Sequence, residues 1–281
     1  MGVATVALPV TSTPGTGLLR ATFPGDLGYL GSGDSRSLLI PTLGTSITIT
    51  AASTTPLLGA DSGLLATLRD ANGVALGFRA IDFLVTGPGA GGPSFQRTLN
   101  TDYAGRIALG ALPYAVGAYT IKACFSGPGA PCPAASVPDP IYNPSVATTT
   151  LRVIYRFDGF LQPINDTAHT TYCGAPCVAS IFKGGSTVPV KFQLKDAFGV
   201  VVQSAALPMW LTPIKGGPVS AAIDESSYSD PGTSGNQFKW DPTSRQYSYN
   251  WSTKGFAIGY YWRVGVTLED GQTYAVYVGL K

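Results

Sequence analysis

The chain reads as all-β, arranged as tandem β-sandwich domains, and three observations carry that expectation. The first is composition: 35 Gly, 22 Pro and 14 Tyr stand against one His and two Met. Glycine and proline serve turns, while β-branched and aromatic side chains fit a pleated, half-buried surface, so short strands with many turns are favoured over helices. The second is periodicity: apolar and polar residues alternate in segment after segment, and no useful length of chain follows a 3.6-residue pattern. The third is self-similarity.

Two echoes are clear. "PGTGLLRATFPG" (Pro14 to Gly25) parallels "VGAYTIKACFSG" (Val116 to Gly127), aligning Arg20 with Lys122 and Phe23 with Phe125 at an offset of 102 residues (122 − 20). "LRDANGVAL" (Leu68 to Leu76) parallels "LKDAFGVVV" (Leu194 to Val202) at an offset of 126 (194 − 68). In the second echo an alternating strand runs into Asp-Ala-x-Gly. Aspartate supplies side-chain acceptors to a turn and glycine supplies positive φ, which is hairpin chemistry. A weaker echo sets "GAYTIKA" (Gly117 to Ala123) beside "GYYWRVG" (Gly259 to Gly265).

Taken in order, residues 1–41 match only the end of the following unit, through "LLRATF" and "SRSLLI", and are expected to be the closing strands of a preceding repeat. Met1 is then not a domain start. Residues 42–152 carry seven expected strands: "SITITAA", "GLLATLRD", "FRAIDFLVTG", "FQRTLNTD", "RIALGAL", "AYTIKACF" and "ATTTLRVIY". Seven is the strand number of a minimal immunoglobulin-like sandwich of about 100 residues. Residues 153–281 form a second unit with a predicted hairpin in "FKWDPTSRQYSYNW". There Phe238 and Trp240 face Tyr247, Tyr249 and Trp251, Pro242 sits in the turn, and the chain closes on "TYAVYVGL".

Residues 42–152 resemble the bacterial Ig-like repeats of surface adhesins and extracellular stalks. The resemblance rests on "LRDANGVAL", "IDFLVTG", "TDYAGRIAL" and "GAYTIKACFSG" in that order. Residues 155–281 resemble the PxKF family of domains found near the C-termini of secreted bacterial proteins. They carry the opening "YRFDGFLQPIND", the signature Pro189-Val190-Lys191-Phe192 inside "GSTVPVKFQLKDAFG", and closing strands in "YSYNWSTKGFAIGYYWRVGVTLEDG". Where some relatives have cysteine, this chain reads Tyr260-Tyr261-Trp262, so that bridge is absent. The resemblance implies an extracellular accessory module and supplies no catalytic residue.

Charge excludes other classes. The 18 Lys+Arg and 16 Asp+Glu leave a net charge of +2, too weak a field to hold nucleic acid or an anionic membrane. No apolar run reaches the ~20 residues that span a bilayer, so no direct membrane insertion is expected. "MGVATVALPVTSTPG" lacks a basic segment followed by an apolar core and is not read as a secretion signal. The four cysteines fall into close pairs, Cys124/Cys132 and Cys173/Cys177. Three connectivities remain open, local pairing is the simplest, and disulfides point to an extracellular or cell-surface setting.

Candidate chemistry is sparse. Lys191 alternates with Val188, Val190 and Phe192, which places it with Pro189 on the outward face of an edge strand as a solvated charge. A Lys–Asn isopeptide bond would need it buried. Ser180-Ile-Phe-Lys183 has Ser-x-x-Lys spacing, but Gly184-Gly185 and a β context remove the helix that chemistry needs. His169, the one histidine, has no nucleophile elbow to serve, and with Cys173 and Cys177 it lacks a recognisable zinc spacing. Acidic loops at Asp26 and at Asp224-Glu225 lack a calcium-loop spacing. Asn165-Asp-Thr and Asn250-Trp-Ser are glycosylation sequons that mean little if the source is bacterial.

No catalytic residue, cofactor or metal ligand is therefore expected. The chain is expected to be a non-enzymatic extracellular structural module, a spacer or adhesion-type array whose partners are other domains of the same parent protein. The alternative is a carbohydrate-binding accessory module of a secreted hydrolase, stacking polysaccharide or another cell-surface ligand on Trp210, Trp240, Trp251 and Trp262. Core packing of these rings competes with that use.

Overall fold

A computed structural model describes residues 5, 13–88, 94–110, 115–125, 139–164 and 179–281. Within them every regular element is a strand and none is a helix. The chain is all-β, and its sheets fall into three sequential groups that share no strand.

The first group is a single antiparallel hairpin, β1 (Gly15–Phe23) and β2 (Ser32–Ile40), which pair over their full length. Its residues are exposed throughout, with only Ile40 partly covered.

The second group is a sandwich of seven strands. One sheet has the order β3 (Thr45–Thr50), β4 (Leu65–Asp70), β7 (Arg106–Ala108). The other runs β6 (Ser94–Asn100), β5 (Ala80–Thr86), β8 (Gly117–Phe125), β9 (Ser145–Val153). All seven strands expected from alternation are present. Their inward residues, Ala66 and Leu68 from one sheet and Ile81, Phe83, Val85, Tyr119, Ile121 and Leu151 from the other, are buried between the sheets. Period-2 alternation does this directly, since alternate side chains leave opposite faces of a strand.

Residues on either side of β3 also pair. Leu43 bridges Tyr142 in parallel, and Leu57 bridges Ile154 in parallel. Backbone bonds accompany both: Asn143 N–H donates to Leu43 O at 2.7 Å, Leu58 N–H to Ile154 O at 2.8 Å, and Ile154 N–H to Pro56 O at 3.0 Å. The opening residues of the unit are thus bonded to the strand that leaves it, both running in the same direction.

The third group contains β10 (Ile181–Phe182), β18 (Thr273–Leu280), β17 (Tyr260–Thr267) and β14 (Met209–Pro218) in that order. A second sheet has β11 (Thr187–Phe192), β16 (Gln246–Ser252) and β15 (Lys239–Asp241), and β12 (Leu194–Lys195) pairs β13 (Val201–Val202). The hairpin expected in "FKWDPTSRQYSYNW" is β15–β16, with Trp240 opposite Tyr247. The closing strand β18 pairs antiparallel with β17 and parallel with β10.

Two expectations about β11 are corrected. Val188, Val190, Phe192 and Leu194 are fully buried, as alternation requires. However, Pro189 is also buried and Lys191 is half-buried, because the strand is not an open edge. On the side away from β16, Thr187 N–H donates to Tyr228 O at 3.0 Å and Leu161 N–H donates to Lys191 O at 2.8 Å. Residues 187, 189 and 191 direct their backbone groups to this side. Pro189, which has no N–H, lies between the two short partners, the position in a covered strand where no donor is needed. The sequence pattern of one strand could not reveal segments 160–161 and 228, which reach it from distant parts of the chain.

Candidate functional site

Three turns share one construction. At Asp70, Asp102 and Asp196 the carboxylate Oδ1 accepts the N–H groups two and four residues on: Asn72 and Val74, Ala104 and Arg106, Phe198 and Val200, at 2.8–2.9 Å. In each, the aspartate carbonyl also accepts the N–H of the glycine three residues on. Gly73, Gly105 and Gly199 have φ of 80°, 71° and 82°, a region that costs a residue with a Cβ about 1–2 kcal/mol. In the Asp70 and Asp196 turns the N–H of the residue after the aspartate is used outside the turn. Ala71 gives it to Gly44 O within its own sandwich, at 2.9 Å.

The equivalent group in the Asp196 turn crosses to the other sandwich. Ala197 N–H donates to Leu58 O at 2.9 Å. Phe198 follows it over Gly59, where an added Cβ would meet the ring at 3.3 Å. The stretch from Ser186 to Gly199 therefore ends in a turn that docks on residues 58–59, and Leu58 is itself bonded to Ile154.

A second set of contacts joins the same two groups. Arg152 Nη1 donates to Asp270 O at 2.8 Å, and Tyr155 N–H donates to Asp270 Oδ2 at 2.9 Å. The Tyr155 hydroxyl donates to Glu269 Oε1 at 2.6 Å, and Glu269 also accepts the N–H groups of Ala205 and Ala206. Burial, followed by the hydrogen bond to Glu269, pushes the Tyr155 hydroxyl far above its ordinary pKa. Burial likewise raises the Asp270 carboxyl, opposed by the Tyr155 and Gln272 N–H groups and by the charge of Arg152. Gly271, at φ 81°, lies so close to Arg152 that a Cβ would sit 2.4 Å from Nη1. Beside this junction Asp158 bonds both Lys195 Nζ (2.8 Å) and Arg156 Nε (2.7 Å). Those two hydrogen bonds, Lys195 first, hold its carboxyl below the usual range.

The four tryptophans do not form an open platform. Trp251 and Trp262 are only 3 % and 9 % exposed, and their assignment as ligand-facing is corrected: Phe256 packs edge-on between them. Trp262 Nε1 donates to Ala257 O at 3.1 Å, while Trp251 Nε1 is buried without a hydrogen-bond partner. Trp210 and Trp240 are half-buried. One face of Trp210 is stacked on Tyr249 (4.3 Å, 6°), and Trp240 leans on Tyr247 at 4.8 Å. Phe192 stacks on Tyr247 and meets Phe238, so the rings form one continuous aromatic core.

The remaining candidates are engaged in structure. The Ser180 hydroxyl is buried and directed at the carbonyls of Pro163 and Ile164, not at Lys183. Asp26 accepts the N–H groups of Gly28 and Tyr29 in its own turn, and Asp224 accepts the N–H of Ile181. Cys124 is buried in β8 and is not a free thiol. Cys132, Cys173, Cys177 and His169 lie outside the described residues, and with them the expected pairings. Among the described residues, no three His, Cys, Asp or Glu side chains are grouped to hold a metal ion. No helix among them is long and apolar enough to cross a membrane.

What single-strand reasoning missed is the junction. The Asp-Ala-x-Gly repeat was the available signal for its turn, but nothing in the repeat distinguishes a turn that bonds within its unit from one that bonds across. No family model matches the chain, and no curated protein matches it. Among solved structures it is similar to a tetra-tandem repeat in the extending region of a large adhesion protein, at 10% identity and a TM-score of 0.38. That alignment covers 96% of this chain and 57% of the other. It is also similar to domains 4–9 of surface layer protein SbsC, at 14% identity and a TM-score of 0.21, covering 95% of this chain and 35% of the other. The chain thus spans little more than half of the first and about a third of the second.

Proposed function

We propose that the chain is a non-enzymatic extracellular spacer, an Ig-like sandwich followed by a PxKF-type sandwich, that carries load and separates other domains of a larger protein. The observation that supports it is the parallel pairing of the ends of residues 43–154. Leu43 with Tyr142, and Leu57 with Ile154, bond the incoming and outgoing segments in the same direction. When such a unit is pulled from its two ends, these backbone bonds lie across the pulling direction and are loaded together in shear. An antiparallel hairpin pulled from its open end loses its bonds one at a time. The closing strand β18 is held similarly by parallel pairing with β10.

The junction extends the load path from one unit to the next. Ala197 bonds Leu58, and Arg152 and Tyr155 bond Asp270, so the connection between sandwiches is made by hydrogen bonds as well as by the covalent chain. The burial of Trp251 and Trp262 counts against a sugar-stacking platform, which needs exposed ring faces.

Single-molecule pulling of the 281-residue chain by its termini tests the proposal. A high-force unfolding event for the Ig-like unit is expected, and Ile154→Pro, which removes the N–H that bonds Pro56, should lower that force markedly. Unfolding at low force unaffected by I154P would refute the load-bearing role. Quenching of tryptophan fluorescence by polysaccharide would transfer the function to the carbohydrate-binding alternative.

A further inference from the structure

The β1–β2 hairpin repeats β8–β9 residue for residue, beyond the short sequence echo. Both pairs match nine residues with nine. Gly15 pairs Ile40 and Phe23 pairs Ser32, while Gly117 pairs Val153 and Phe125 pairs Ser145. Each leading strand starts on a glycine of positive φ, 143° at Gly15 and 125° at Gly117. An offset of 102 (117 − 15) lays Leu19 on Ile121, Ala21 on Ala123 and Phe23 on Phe125. The shared register then lays Leu38 on Leu151 and Ile40 on Val153.

All five of those positions in β8–β9 are buried. They are covered by β5, which pairs antiparallel with β8 from Asp82 to Thr86, and by β3 from the facing sheet, which packs on β8 and β9. The corresponding face of β1–β2 is bare: Leu19, Phe23 and Leu38 are each more than two-fifths exposed. A shallow groove at this end of the hairpin is lined by Gly15, Gly17, Leu19, Leu38 and Ile40 of this face, and its rim includes Thr16 and Leu18 of the other. The polar residues on this face, Ser32, Asp34 and Arg36, fall at the positions of Ser145, Ala147 and Thr149, where β9 is only half-buried. A two-stranded hairpin is marginal in water by itself, and a contiguous bare apolar face marks an interaction surface.

We infer that β1–β2 is the acceptor half of a further sandwich, and that its occupant is a β-sheet segment of the kind formed by β3–β7. One strand of that segment pairs antiparallel along the outer edge of β1, opposite Leu18 to Thr22, as β5 pairs with β8. The remaining strands lay an apolar sheet over Leu19, Phe23, Leu38 and Ile40. Gly17 stands where β8 has Tyr119, so the occupant must fill that space with a larger side chain of its own. This inference rests on the tandem-unit reading and deepens it by specifying how one unit is completed.

The test is thiol labelling of Leu19→Cys and, as a control on the opposite face, Leu18→Cys, whose counterpart Thr120 is exposed. In the 281-residue chain both should react fast. The same chain carrying a copy of residues 42–115 ahead of Pro14 should protect L19C at least tenfold and leave L18C reactive. Equal labelling of L19C with and without the added segment would overturn the inference. So would a concentration-dependent dimer of the unextended chain that Leu19→Arg abolishes, since the occupant would then be a second copy. Neither outcome bears on the pulling experiment, so failure here and failure of the spacer function are told apart.

Discussion

Arg152 and Asp270 meet across the two sandwiches: the Arg152 guanidinium donates to the Asp270 carbonyl at 2.8 Å, 118 residues away in sequence. The same aspartate accepts the N–H of Tyr155 with its carboxylate, so one residue of the β17–β18 turn holds the strand leaving the first sandwich at two points. Replacing Arg152 by Ala should cost about 1 kcal/mol, the net worth of one part-buried hydrogen bond whose carbonyl partner can turn to water. Gly271→Ala should break the contact from the other side, by driving a Cβ into the guanidinium. Both variants should broaden the distribution of interdomain distances measured by double electron–electron resonance, with each sandwich still folded. An unchanged distribution would show that the hydrogen bonds do not set the joint.

The aspartate turns should tolerate Asn and not Ala. Asp70→Ala and Asp196→Ala each remove the acceptor of two backbone N–H groups, at an expected cost of about 1–2 kcal/mol by denaturant titration. Asp196→Asn keeps an oxygen that can accept both and tolerates the turn, so it should lose less than half as much. Asp196→Ala should also loosen the junction, because its turn presents Ala197 to Leu58; Asp70→Ala should not.

Two carboxylates give opposite pH dependences. Lys195 and Arg156 depress Asp158, so its contribution is present above the ordinary carboxylate pKa and is lost as pH falls through the lowered folded value. Burial raises Asp270, so the stability linked to its protonation is complete at low pH and lost as pH rises through its folded value. Asp158→Asn should therefore flatten the acid limb of thermal stability plotted against pH. Asp270→Asn should remove a decline above the ordinary carboxylate range. Curves parallel to that of the unsubstituted protein would refute both assignments.

Trp251 and Trp262 are both buried, but only Trp262 has a partner for its indole N–H. Trp262→Phe leaves the Ala257 carbonyl without its donor, whereas Trp251→Phe removes an unsatisfied group. The first should be more destabilising by about 1 kcal/mol, the worth of that bond, although the lost volume is the same. Equal losses in thermal or denaturant unfolding would contradict this.

Much of the fold was legible because it depends on near neighbours in sequence. The period-2 alternation of "AYTIKACF" and "SITITAA" assigns strands and inward faces, since side-chain direction follows from backbone geometry alone. The Asp-Ala-x-Gly motif specifies its turn because every acceptor and donor it needs lies within four residues, and one glycine supplies the positive φ. The β15–β16 hairpin was legible for the same reason.

Other features depend on segments that meet only after folding. The alternation around Lys191 correctly buried Val188, Val190 and Phe192, but only the approach of Leu161 and Tyr228 closed the strand edge and half-buried the lysine. A tryptophan in a β-strand is equally suited to a core or to a ligand platform. The packing of Phe256 decided it for the core at Trp251 and Trp262, while Trp210 and Trp240 rest on Tyr249 and Tyr247 and stay half-buried. The sequence by itself determined an all-β chain of strands and aspartate turns, because those rest on local stereochemistry. Only the tertiary structure decided that the Asp196 turn bonds Leu58, that Arg152 reaches Asp270, and that one face of β1–β2 is bare where the same face of β8–β9 is covered. Each of these depends on which distant surfaces are brought within hydrogen-bonding or packing distance.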